Sequence, residues 1–225
     1  MRAINYMKTD YMLAKQQMRI ILPLFVIVAL LAGKTMGDGW LLFLCSYLLF
    51  IATVFSTTPF GSCQRKNTGF LLMLPGTVAE RVIGRFLFGL SYLAMAVLFC
   101  VAAMGVFSRF GYKIDVMVVG LMLCNMALGI FIVALEYLIC YLFGEGKGNW
   151  QYLGNIVRIA PGMGMFFLSM SVLGKMEEEI YVADRMEFLS QQILSVGALA
   201  LLAAILVMAV FAAICVKVIG KRDYA

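Results

Sequence analysis

Six apolar stretches constrain this chain more than any other feature. They are Ile20–Gly33, Trp40–Thr57, Phe86–Phe107, Val116–Phe143, Ile156–Leu173 and Ile193–Ile219. A helix needs roughly 20 apolar residues to cross a hydrocarbon core about 30 Å thick, and most of these runs approach or exceed that length. The chain is 64% hydrophobic and 13% charged, whereas soluble domains average about 45–50% apolar and about 25% charged. Too little polar surface remains to wrap a soluble globule, and the apolar content is far too high for disorder. The expected fold is therefore an all-α polytopic membrane protein.

With their flanks, the runs predict six transmembrane helices over about 19–36, 40–57, 86–107, 116–143, 156–173 and 193–219, in one membrane domain spanning residues 1–225. The first run holds 14 residues between Arg19 and Lys34, about 21 Å of helix. It must borrow length from its flanks while the basic side chains snorkel outward. The fourth holds 28 residues, about 42 Å, and must tilt or project. A basic N-terminus before a short apolar stretch has the outline of a signal peptide. No small-x-small cleavage site leading into a soluble domain follows it, so the stretch is read as a span.

Lysine and arginine placement orients these spans. With both termini in the cytoplasm, 13 of the 18 basic residues and 4 acidic ones fall inside, against 5 basic and 7 acidic residues outside. The net charge of +6 is then a topology signal, with +9 inside, −2 outside and Glu136 within a span. No nucleic-acid partner need be invoked, and membrane lipid is the expected environment.

Several chemistries are excluded by composition. The chain has no histidine, which removes histidine metal ligands, Ser-His and Cys-His dyads, and the commonest acid–base group near neutrality. Its six cysteines include no C-x-x-C pair, so neither a zinc site nor a redox motif is expected. No metal site and no catalytic residue are assigned. A rhomboid-like serine protease would need a histidine, and an aspartyl intramembrane protease two aspartates in spans that hold none.

The cytoplasmic side carries two amphipathic segments. Residues 4–18 place Ile4, Met7, Tyr11, Ala14 and Met18 on one stripe, as expected of a helix lying along the inner surface or simply extending the first span. Between spans two and three, Pro75-Gly76 signals a turn. Thr77-Val-Ala-Glu80 then matches a capping box, in which the hydroxyl and the carboxylate satisfy each other's backbone N–H groups. Over about 77–85 a short helix is expected, with Val78, Ala79, Val82, Ile83 and Phe86 on one arc. Glu80, Arg81, Gly84 and Arg85 lie opposite, toward the cytoplasm, unless the segment merely anchors span three.

The string Leu74-Pro-Gly-Thr-Val-Ala-Glu-Arg-Val-Ile-Gly-Arg-Phe86 resembles the segment after the second helix of ABC-2 type transporter permeases, and most closely the small bacterial subgroup without an ATPase domain. The N-terminal interfacial helix, six spans and cytoplasmic termini agree with that resemblance over the whole chain. It implies that residues 77–85 are a coupling helix docking on a separate ABC ATPase subunit, with Thr77, Glu80, Arg81 and Arg85 facing it. It further implies two permease copies, as a homodimer, with two ATPase subunits in the bacterial plasma membrane. ATP and Mg would belong to the ATPase, with no cofactor in this chain. The cargo implied is a lipid, a drug or an amphipathic peptide. Two departures are Gly76 and Gly84, and Gly84 is expected to mark a bend into span three.

A subunit that borrows its motor needs no nucleotide site, and none is legible. Gly33-Lys34-Thr35 ends like a Walker A motif, but Val28 stands where its first glycine belongs and no strand precedes it. The stretch Gly144-Glu-Gly-Lys-Gly148 lacks the hydroxyl residue and the spacing. The competing reading is a non-transporting membrane scaffold or immunity protein.

Inside the membrane, Glu136 is the single acidic residue deep in a span. Three roles fit it: an ion pair with Arg158, a part in gating or the substrate path, or a protonated acid at a helix interface. Asn125 lies eleven residues earlier, within about 20° of the same helix face, so the two can line one seam. Gly120-x-x-x-Cys124 and Ala200-x-x-x-Ala204 are small-residue tracks for close packing, either within the chain or between copies. Outside, Val182, Met186, Leu189 and Ile193 recur at helical spacing and predict a helix leading into the last span.

Overall fold

The computed structural model describes residues 3–12, 14–15, 40–56, 76–109, 116–143 and 183–222, with isolated positions 19, 23, 26, 27 and 164. The first and fifth expected spans, Arg158, and the loops at 57–75 and 144–154 lie outside the described residues, apart from the isolated positions. All regular structure among those described is helical. In chain order the elements are α1 (residues 3–12), α2 (Trp40–Ser56), α3 (Val78–Arg109), α4 (Val116–Phe143) and α5 (Ala183–Arg222).

Among the described residues, three segments are long and apolar enough to cross a membrane: Val78–Arg109, Val116–Leu142 and Gln191–Gly220. The 32 residues of α3 make a rod of about 48 Å, so it outreaches a hydrocarbon core of about 30 Å. Its surplus includes the amphipathic segment at its start. That segment is the first two turns of one continuous helix, and Gly84 sits inside it rather than at a break. Likewise α5 begins at Ala183 and runs 40 residues without interruption. The helical spacing before the last span therefore belongs to the same rod.

The core lies between α2, α3 and α4. Leu44, Leu48 and Leu49 of α2 meet Phe88, Leu93 and Ala96 of α3 and Ile130, Val133 and Ala134 of α4 in one buried cluster. Between apolar helices in lipid no hydrophobic driving force remains, and close packing with a few polar contacts decides which faces meet. The α4–α5 seam shows how. A Cβ added at Gly197 would lie 2.8 Å from the Gly120 carbonyl oxygen, and one at Gly120 would lie 2.9 Å from the Leu194 nitrogen. Backbone meets backbone there, with Cys124 Sγ alongside. The Gly120-x-x-x-Cys124 track thus serves packing within the chain. On α5, Ala204 is buried while Ala209 and Ala213 are exposed, and Leu199, Leu202, Leu206 and Val210 also face outward.

Candidate functional site

The site is assembled at the start of α3. Thr77 donates its backbone N–H to Glu80 Oε2 at 3.0 Å, and Glu80 donates its own to Thr77 Oγ1 at 3.3 Å. This is the reciprocal capping box written in the sequence. The first helical bond, Arg81 N–H to the Thr77 carbonyl, follows at 3.2 Å. Glu80 also sets a carboxylate against the positive end of the helix dipole.

Across these turns lies α1. A Cβ at Gly84 would stand 2.7 Å from both the Ala3 carbonyl oxygen and Tyr6 Cβ, so only glycine lets the two helices approach this closely. Tyr6 spans from there to Gly76, where its hydroxyl fills the space a side chain would need. The role expected of Gly84, a bend, is replaced by this notch. About two turns on from Gly84, Ser91 gives its hydroxyl proton to the Phe88 carbonyl at 2.6 Å. Its oxygen then accepts from the Tyr11 hydroxyl at 2.5 Å. Tyr11 meets Phe88 edge-on at 4.9 Å and stacks on Tyr92 at 5.9 Å.

The buried face of α1 differs from the stripe expected of it. Tyr6, Asp10 and Ala14 are buried, whereas Ile4 and Met12 are exposed. The face is turned roughly 80° about the helix axis from the apolar stripe. A purely apolar face suits a lipid surface. Here the helix packs on protein, and the partner in reach of Asp10 is a cation.

That cation is Arg85, whose Nε lies 3.9 Å from Asp10 Oδ2. Asp10 is only 2% exposed, and its Oδ2 accepts no hydrogen bond among the described residues. Burial pushes the Asp10 carboxyl up to about 6, with the Arg85 charge pulling the other way. Arg85 also interacts with the Tyr141 side chain of α4. Beside it Tyr137 donates to the Ser56 carbonyl of α2 at 2.6 Å and meets the Phe86 ring at 5.2 Å. Four helices therefore meet at the N-terminal end of α3.

This convergence corrects the expected display of charge. One side of α3 is covered by α1 through Gly84 and Phe88, another by α4 through Phe86 and Gly89. Arg85 falls in the angle between them, its side chain 17% exposed, and does not present itself to solvent. Arg81 is half-buried with a buried Nε. The outward positions are Thr77 and Ile83, with Glu80 half-exposed beside them. Ile83 had been assigned to the buried arc. Asp10, Tyr6, Tyr137 and Tyr141 were not singled out by sequence reasoning. The available signal was Asp10, the only acid among the first 37 residues.

Deeper in the bundle, Asn125 and Glu136 are both buried in α4. Asn125 Nδ2 donates to Ser46 Oγ of α2 at 2.9 Å. Glu136 is 2% exposed, and the pairing expected with Arg158 falls outside the described residues. Among the described residues no group of three or more His, Cys, Asp or Glu side chains is placed to hold a metal ion.

The family model of the ABC-2 family transporter proteins matches residues 5–219, which takes in all but the outermost residues of the helices described above. The chain belongs to the ABC-2 transporter family. It is thus an ABC-2 type permease, a membrane subunit of a class that works with an ABC ATPase. No curated protein and no solved structure matches the chain. Within the permease, the capped start of α3 and the α1 helix clasped to it form a polar cluster beside the apolar core.

Proposed function

We propose that this permease is the membrane-spanning subunit of an ATP-driven exporter that moves a hydrophobic or amphipathic substrate, with amphipathic peptides the favoured class, across the bacterial plasma membrane. A separate ATPase supplies the energy, and this chain carries out no covalent chemistry. The observation that carries the reading is the family match over residues 5–219 in a chain whose sequence holds no Walker A motif. Six spans, cytoplasmic termini and a homodimer with two ATPase subunits complete the proposed assembly.

In this assembly the first turns of α3 dock on the ATPase through Thr77, Glu80 and Arg81, with Arg85 anchoring them from behind. Because these turns are continuous with a helix of 32 residues, a push on them is transmitted along α3 without a hinge. ATP-driven closure of the two ATPase subunits would then move the paired permeases between two arrangements, the kind of rigid-body switch that packed helices support. The 17 methionines supply pliable apolar surface suited to greasy cargo.

The test is co-expression with a candidate Walker-motif ABC ATPase, sought first among the neighbouring genes, followed by affinity purification through the permease. Glu80→Ala with Arg81→Ala is expected to lower ATPase recovery at least tenfold. Glu80→Gln, which keeps a capping side chain, separates loss of charge from loss of the helix cap. Unchanged recovery with the double variant would remove the docking assignment. An ATPase that neither binds nor energises transport would favour a scaffold or immunity role.

A further inference from the structure

We infer that Asp10 is a positioning residue for ATPase coupling: from the N-terminal helix it holds Arg85 in the angle between α1, α3 and α4, and so sets the docking turns of α3 in place. The inference rests on the docking role proposed for those turns and assigns the residue that controls them from inside.

Three observations carry it. First, α1 and α3 touch at backbone distance through Gly84, so α1 cannot shift without moving the docking turns or losing that contact. Second, Asp10 is buried in that contact and lies 3.9 Å from Arg85. A carboxylate is costly to bury unless it is paired and hydrogen-bonded, and its Oδ2 has no hydrogen bond among the described residues. The pair is drawn together by charge yet stands about an ångström short of hydrogen-bond distance. A small movement of α1 or α3 would close or break it. Third, the reach of Arg85 does not end at Asp10, because it also interacts with Tyr141 on α4, one turn from the Tyr137 that is tied to α2. Displacing Arg85 therefore reaches three helices besides its own.

The groups facing Asp10 are Arg85 on α3 and Tyr137 and Tyr141 on α4, and Glu136 acts on the same Tyr137. Lys8 of α1, and Lys15 beyond its end, are exposed. Arg85 is thus the cation that responds to the charge on Asp10. An Asp10 carboxyl titrating near 6 places this response just below neutrality, where Asp10 loses its charge as the pH falls and Arg85 keeps its own.

Two measurements test the inference. On the purified permease alone, thermal unfolding is compared for wild type, Asp10→Asn, Arg85→Gln and the double variant. Non-additive effects are expected at pH 7.5 and additive ones at pH 5, where Asp10 is neutral; additivity at both values would overturn the link. On the permease–ATPase complex, permease-stimulated ATP hydrolysis is followed from pH 5 to 8. Wild type is expected to lose stimulation with a midpoint near 6. Asp10→Asn should be lowered about tenfold at pH 7.5 with a flattened profile, and Asp10→Glu should recover most of both. An Asp10→Asn profile superimposable on wild type overturns the positioning role, as does Asp10→Glu performing no better than Asp10→Asn. Should the wild-type permease bind no ATPase at all, the docking assignment fails, and the cycle on the permease alone still decides whether Asp10 holds Arg85.

Discussion

Asn125 donates its amide proton to Ser46 Oγ over 2.9 Å, joining α4 to α2 at a point where both side chains are buried. Polar pairs between membrane helices contribute on average about 0.6 and at most about 1.7 kcal/mol in double-mutant cycles. The cycle of Ser46→Ala and Asn125→Leu should therefore give a coupling in that range. Each single change removes one side of this bond, whereas the double variant removes both sides and should recover part of the loss. Thermal unfolding in one detergent at one pH is the measurement, and additive effects would show that the bond contributes nothing.

The contact between Gly197 and the Gly120 carbonyl predicts a graded response to side-chain size. Gly197→Ala must force apart atoms that would meet at 2.8 Å, and Gly197→Leu more so, costing about 1–3 kcal/mol by overpacking. Gly105 is the internal comparison, since an added Cβ there meets nothing within 4 Å. Gly105→Ala should leave stability unchanged or raise it by about 0.5–1 kcal/mol, as expected for Gly→Ala inside a helix. Unfolding temperatures of the three variants in detergent test the ranking.

Stability should also fall with rising pH over the range in which Asp10 ionises. Its carboxyl is raised from 3.8 to about 6, so between those values the folded chain holds more protons than the unfolded one. Unfolding free energy then decreases as pH increases from about 4 to about 6 and levels off above. The full effect is on the order of 3 kcal/mol. Asp10→Asn should remove most of this slope. Unfolding measured from pH 4 to 7.5 gives the answer, and equal slopes in the two proteins would contradict the assignment.

Much of the local architecture was legible in the residues. Helical structure followed from long apolar runs, because no other element satisfies its own backbone within lipid. The capping box was readable because its partners, Thr77 and Glu80, are three residues apart and find each other without help from the rest of the fold. Docking residues were harder. Helical spacing placed Arg85 with Glu80 on an outward arc and Ile83 inward, yet Ile83 is exposed and Arg85 lies between α1 and α4. An amphipathic arc identifies one buried face, and α3 has two.

What the sequence determines by itself is therefore the membrane environment, the helical content and the capped start of α3, all of which depend on composition or on neighbours within one turn. Only the tertiary structure decided the rotation of each helix about its own axis. In α4 and α5 apolar residues occur on every side, so hydrophobicity selects no face. Selection passes instead to notches such as Gly84 and Gly120 and to a few polar partners, Asn125 with Ser46 and Asp10 with Arg85. Those partners are 75 or more residues apart, and no pattern along the chain connects them. They meet because close packing lets few arrangements bring each buried polar group within reach of another.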